Sequence, residues 1–175
     1  MEIPEGFWQC VTFDLITQLP VTTTGYDAIA VFVDKLSKMT HIAPCHTTLS
    51  SKEFANLFMD NVFRLHGLPL KLLSDRGTQF TSNFMRALTG LMGSRQSFST
   101  AFRPQTDGQT ERMNQVIEDM IRHYVGPYHD DWDRCLGLVE FAINNSFQES
   151  IQSTPFRVHQ GYDPSTHPYF SGGEK

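Results

Sequence analysis

Three carboxylates stand out from the sequence because of the pattern around them. Asp14 sits in the β-branched and aromatic run Val11-Thr12-Phe13-Asp14-Leu15-Ile16, with apolar neighbours on both sides, at the end of a first strand. Asp75 follows the short apolar run Leu70 to Leu73 and opens Ser74-Asp75-Arg76-Gly77, at the carboxyl end of a strand, where α/β sheets bind their ligands. Glu111 closes Thr106-Asp107-Gly108-Gln109-Thr110-Glu111, near the start of a helix. Phosphoryl transfer by two hard cations about 3.5–4 Å apart needs acids from separate elements that converge on one spot. Asp suits strand ends, and the longer Glu can reach the same ions from the side. Each acid also has an ordinary account. A strand-end Asp caps a turn, Asp75 before Arg76-Gly77 is turn chemistry, and an acid in a first helical turn complements the helix dipole. Composition and spacing alone thus leave the two-metal site as one option among these.

The elements that must position the acids follow from periodicity. Trp8 to Ile16, Tyr26 to Val33 and Met39 to Pro44 read as three strands joined by short turns, an antiparallel meander. From Ser50 the period changes: Phe54, Leu57, Phe58, Val62 and Leu65 recur at helical steps, with Ser50 or Ser51 as N-cap and Gly67 as the stop. A short strand over Leu70 to Leu73, a helix from about Ser82 to Leu91 and a strand over Gln96 to Thr100 complete the order βββαβαβ. Two more helices follow, one carrying Met113, Val116, Ile117, Met120, Ile121 and Tyr124, the other Trp132, Cys135, Leu136, Val139, Phe141 and Ile143. Such an order describes a mixed sheet with helices on its faces.

Other residues compete for the same roles. Asp27 and Asp34 rival Asp14, but Asp34 precedes Lys35/Ser37/Lys38 and reads more simply as a hairpin residue. Asp107 reads as turn chemistry, and Glu118 stands two helical turns beyond Glu111, about 10 Å along the axis. His41 and His46 near Cys45 fit no usual zinc spacing. Trp132, Phe141, Phe54 and Phe58 read as core or dimer surface rather than stacking platforms. Cys10, Cys45 and Cys135 are odd in number and far apart, which excludes a disulfide framework and favours buried thiols. No run approaches the roughly 18 apolar residues of a membrane helix, and the start lacks a secretory plan, so a soluble chain, cytosolic or nuclear, is expected. A composition 39% hydrophobic and 19% charged over 175 residues fits one globular domain, with a core over about 7–165 and short polar ends.

With these residues in place, the sequence resembles a retroviral-type integrase catalytic core, closest to integrases of Ty3/Gypsy-type long-terminal-repeat retrotransposons. Thirty-five residues separate Asp75 from Glu111, the D,D-35-E spacing of that family, and Asp14 supplies the leading acid. The surrounding words match as well: Val33-Asp34-Lys35-Leu36-Ser37-Lys38, Ser74-Asp75-Arg76-Gly77-Thr78-Gln79-Phe80, Pro104-Gln105-Thr106-Asp107-Gly108-Gln109-Thr110-Glu111-Arg112-Met113-Asn114, and late Thr154-Pro155-Phe156 with Gly161-Tyr162. The resemblance implies a ribonuclease H-like α/β fold with a mixed five-stranded sheet, Mg²⁺ or Mn²⁺ as cofactor, and a domain that dimerises. It implies DNA as substrate, in 3′-end processing and strand transfer of element DNA into target DNA. Asp14, Asp75 and Glu111 are then catalytic metal ligands. Arg112 and Asn114, a turn or less from Glu111, are expected to face DNA, and so is Gln109, on a mobile loop around Gly108 bounded by Pro104.

The sequence also departs from the family. Positions just after the Glu that commonly carry Lys or Arg hold Gln115 and Glu118, leaving Arg112 and Arg122 as the basic residues there. The family's amino-terminal His/Cys zinc domain and carboxy-terminal binding domain have no counterpart in these 175 residues, so a piece of a polyprotein, only partially active alone, is expected. The net charge of −5 is opposite to that of a stand-alone nucleic-acid binder and fits affinity supplied by those other domains. Competing expectations are a partner-binding module that has kept the fold and lost activity, and another ribonuclease H-like transposase core. Residence in nucleus and cytoplasm, in a virus-like particle or pre-integration complex, follows from the resemblance alone.

Overall fold

The computed structural model describes residues 4–93, 101–104, 108–124 and 130–165, with residues 101–104, 108–111 and 124 described by their backbone alone. Strands β1 (Cys10–Ile16), β2 (Ala28–Asp34) and β3 (Thr40–Cys45) form the expected antiparallel meander. β4 (Lys71–Ser74) then joins β1 in parallel, and β5 (Ala101–Pro104) joins β4 in parallel, giving one sheet in the order β3-β2-β1-β4-β5. The expected strand at Gln96–Thr100 lies outside the described residues; the strand that is described begins at Ala101.

Strict alternation decides which helices cover which face. Val11, Phe13, Ala28, Ala30 and Phe32 point to one side, where they meet Phe54 and Phe58 of α1 (Ser51–Phe58) and Phe84 and Leu88 of α3 (Thr78–Leu91). Ile16, Ile29, Val31 and Val33 point to the other, against Ile117 and Ile121 of α4 (Gly108–Tyr124) and Leu136, Val139 and Ile143 of α5 (Trp132–Asn144).

Local chemistry sets the boundaries. Ser50 and Glu53 form a reciprocal capping box at the start of α1. The helix runs through a π-helical turn, Met59–Phe63, into the short α2 (Arg64–His66), and Gly67 ends it at φ +82°, a conformation that favours glycine. α3 starts at Thr78, four residues before the expected Ser82, which brings its first turn directly behind Asp75. A short α6 (Pro155–Gln160), not foreseen as a helix, has Thr154 as N-cap, Pro155 in its first turn and a left-handed Gly161 as its stop. α5 also covers β3, a strand at the sheet edge. Asn144 accepts from the Thr40 N–H and donates to the Thr40 carbonyl, both at 2.8 Å, and Glu140 accepts from the Ile42 N–H. These side chains satisfy backbone groups that an open edge would expose.

Candidate active site

The parallel register of β1 and β4 brings the two aspartates level. Cys10 pairs with Lys71 and Thr12 with Leu73, and the same offset links Asp14 to Asp75, each two residues past the last paired position. Two residues is one strand repeat, so Asp14 lies on the Thr12 face of β1, the side covered by α4 and α5. The pair interacts electrostatically. Burial is the main cause that raises the Asp14 carboxyl above the usual carboxylate range, and the Asp75 charge adds to it, while hydrogen bonds from Leu15 and Asn114 and the Arg76 charge oppose it.

Asn114, expected to face DNA, makes a contact that its sequence did not announce. Its Nδ2 donates to Asp14 Oδ2 at 2.6 Å, and the Leu15 N–H donates to Asp14 Oδ1 at 2.7 Å, so each carboxylate oxygen is held by one protein donor. The Asn114 Oδ1 atom is buried without a hydrogen-bond partner among the described residues. Glu111 lies three residues earlier on α4, which puts it on the same helix face one turn away; its side chain is outside the described residues. Gly108 and Gln109, expected in a mobile loop, belong to the first turn of α4 instead. Residues 105–107, including Asp107, are outside the described residues. The exposed Arg112 is on the other side of the helix from Asn114, facing Lys35 and Lys38 of the β2–β3 turn.

Arg76 was not singled out as a site residue by its sequence. Its guanidinium carbon stands 4.3 Å from the centroid of the Phe80 ring, a cation–π contact across one turn of the chain, and its charge is felt at Asp14. The signal was present as an arginine and an aromatic four residues apart beside the acid, but nothing in that spacing told where the arginine would rest.

The rival acids find structural uses. Asp34 is fully buried and accepts from the backbone of Trp8, Leu36 and Ser37 and from the Ser37 hydroxyl, as a hairpin residue does. Asp27 accepts from the Thr47 N–H, and Glu118 pairs with Arg122 at 3.7 Å. Cys10 and Cys45 are buried thiols, with Cys45 pushed up to about 12 by burial. Phe54, Phe58 and Trp132 are core. Among the described residues no group of three or more His, Cys, Asp or Glu side chains could hold a metal ion, and no helix is long and apolar enough to cross a membrane.

The donor set nonetheless suits a hard divalent cation. Asp14 and Asp75 supply charged oxygens, a cation would offset the burial and repulsion that raise Asp14, and the orphaned Asn114 oxygen can accept from a coordinated water.

Comparison with known proteins agrees. The sequence model of the family described as integrase core domain matches residues 4–104. The Transposon Tf2-3 and Tf2-4 polyproteins of Schizosaccharomyces pombe are each 34% identical over 161 residues, covering 92% of this chain and 12% of the polyprotein. The chain thus spans about an eighth of the length of these relatives. Among solved structures, the dimeric HTLV-2 integrase catalytic core domain in complex with magnesium has a TM-score of 0.65 at 18% identity, covering 87% of this chain and 97% of its own. A chain of the simian T-cell lymphotropic virus intasome in complex with PP2A regulatory subunit B56 gamma has a TM-score of 0.67 at 18% identity, covering 95% of this chain and 62% of its own. The fold is the ribonuclease H-like fold of these integrase cores.

Proposed function

The chain belongs to the integrase core domain family, of the long-terminal-repeat retrotransposon and retroviral type, and on that premise we propose that it is the catalytic core that processes 3′ ends of element DNA and transfers them into target DNA. The observation that carries this reading is the level placement of Asp14 and Asp75 on neighbouring parallel strands, with Asn114 holding Asp14 from the helix that also bears Glu111.

Asp14, Asp75 and Glu111 would hold Mg²⁺ or Mn²⁺, in keeping with the magnesium named for the HTLV-2 core. Bound there, the cations supply Lewis-acid activation of the attacking oxygen and stabilise the leaving one. The remaining work falls to side chains. Asn114 and the Leu15 N–H orient the Asp14 carboxylate before any ligand arrives, a pre-organisation that spares rearrangement at the moment of reaction. Arg76, braced on Phe80, offers a guanidinium to a phosphodiester oxygen next to the acids. The attack is in line, by water in processing and by the new 3′-hydroxyl in transfer. Gln109, Arg112 and Asn114 border the path of the DNA.

The domain comprises 1–175, with its core over about 7–165. It works as a dimer or higher oligomer with DNA-binding domains elsewhere in the polyprotein, in nucleus and cytoplasm. A net charge of −5 accords with weak, strongly salt-sensitive DNA binding by this chain alone.

Two measurements test the reading. In a complete integrase, Glu111→Gln should abolish metal-dependent strand transfer, a loss of about a thousandfold or more; retained transfer would remove Glu111 from the site. By calorimetry the chain should take up Mg²⁺ or Mn²⁺ and Asp75→Asn should not. Absence of uptake by the wild type would favour an inactive partner-binding module.

A further inference from the structure

Beside Thr12 and around α4 from Asn114 lies a cavity of about 330 Å³. Successive helical residues turn by about 100°, so Glu111 and Asn114 share one side of α4 while Arg112 and Val116, which line the cavity, share the other. Thr12 forms part of its wall, two residues before Asp14 on the same face of β1. The floor is apolar, from the buried Val33 and Ile143, with the exposed Val116 beside them. The rim is not: among the described residues lining the cavity, Lys35 and Lys38 of the β2–β3 turn and Arg112 carry positive charge and Glu149 negative. Among the described lining residues the three cations outnumber the one acid, in a chain of net charge −5. Phe147 also lines the cavity and leaves 63% of its surface exposed, an aromatic ring that the core does not claim. The loop that carries it is ordered by its own bonds, with the Gln148 N–H donating to the Ser153 carbonyl at 2.8 Å.

We propose that this cavity is a binding site for an unpaired nucleotide of a DNA strand, with its phosphate on Lys35, Lys38 and Arg112 and its base on Phe147 and the apolar floor. A cationic groove beside an exposed aromatic platform is the combination that holds single strands, because every base offers a face for stacking. A duplex keeps those faces stacked inside and meets only the cations. The volume is of the order of small-ligand sites, about 300–1,000 Å³. The inference rests on the proposed DNA-acting function, since the position beside Asp14 makes a strand, rather than a free mononucleotide, the fitting ligand.

Fluorescence anisotropy of labelled oligothymidylate with the 175-residue chain tests it. The single strand should bind more tightly than a duplex of equal length, and thymidine monophosphate at equal nucleotide concentration should compete poorly. Phe147→Ala, at an exposed position, should weaken single-strand binding by at least about fivefold. Lys35→Ala with Lys38→Ala should weaken it and flatten its salt dependence; Lys52→Ala, at the start of α1, should do neither. Equal binding of strand and duplex, equal competition by the mononucleotide, or wild-type affinity in the Phe147→Ala chain would each overturn the proposal. Cation uptake separates it from the catalytic reading: Phe147→Ala should keep Mg²⁺ or Mn²⁺ uptake, while Asp75→Asn should lose uptake and keep the oligonucleotide. A wild type that binds the strand but takes up no cation would sink the catalytic reading and leave the cavity standing.

Discussion

The two faces of the sheet are built from different materials. On the α1/α3 side, Phe13, Phe32, Phe54, Phe58 and Phe84 are all 1% exposed or less, and their rings meet at 5.1 to 5.8 Å between centroids in tilted and edge-on pairs. On the α4/α5 side the contacts are aliphatic, Ile29, Val31, Ile117, Val139 and Ile143, with Trp132 as the aromatic exception among its buried residues. The second face carries the Asp14–Asn114 pair and the cationic cavity, while the polar groups described on the first lie at its edge, around Trp8 and Asp34. Interlocked rings fix geometry by shape and tolerate little change. The difference assigns rigidity to one face and chemistry to the other, with β1 shared between them.

That division can be broken from either side. The largest effect should come from Phe84→Ala, which empties the centre of the ring cluster and should cost about 3–5 kcal/mol in urea unfolding. Cation uptake per folded molecule should stay as in the wild type; a folded variant with altered uptake would show that the faces are not independent. Next, Asn114→Ala should lower cation affinity by about 10- to 100-fold, the usual effect of removing a group that orients a ligand. Its unfolding midpoint should move far less than that of Phe84→Ala, and a larger shift would make Asn114 a packing residue.

The smallest effect concerns a titratable seam at the edge of the aromatic face. Trp8 stacks on His66, with ring centroids 4.0 Å apart, and donates through Nε1 to His159 Nε2. The ring nitrogens of His66 and His41 meet at 2.9 Å, and His41 in turn meets Glu140 at 2.9 Å; Asp34 accepts from the Trp8 N–H. Burial first, and then the charges of His41 and His159, lower His66 to about 4. A group that binds its proton less readily when folded leaves stability intact above the unfolded value of 6.5. Stability is then lost as pH falls toward about 4, as the unfolded chain takes up the proton first. Thermal unfolding should show this decline between those pH values, and His66→Gln should flatten it. An unchanged slope in that variant would place the titration elsewhere in the cluster.

Much of this was legible in the sequence because it was written locally. The β-branched and aromatic runs Trp8 to Ile16 and Tyr26 to Val33 marked the meander, and Ser50 and Gly67 marked the ends of the first helical stretch. Asp75 could be set at a strand end from its apolar run alone, whereas Asp14, expected to end the first strand, lies inside β1, two residues before its end. What was hidden depends on distant partners. Asn114 looks like any polar residue on a helix until Asp14, 100 positions away, meets it. Trp8 and His159 are separated by 151 positions, so no spacing rule could join them. Gly108 reads as a hinge by its type, yet the backbone there is already helical. The cavity is invisible for the same reason, since its cations come from a turn and a helix that only the fold brings together.

The partnership between Asp14 and Asn114 also has a consequence in time. A chain emerging from the ribosome can pair β1 with β4 once residue 74 is free, yet the donor that steadies Asp14 belongs to α4, which is made later and packs on α5, later still. Contacts across such separations form slowly, because loop closure must come first. A half-made chain would therefore hold two aspartates side by side with Asp14 gripped by its own Leu15 N–H alone, so that its second donor arrives late.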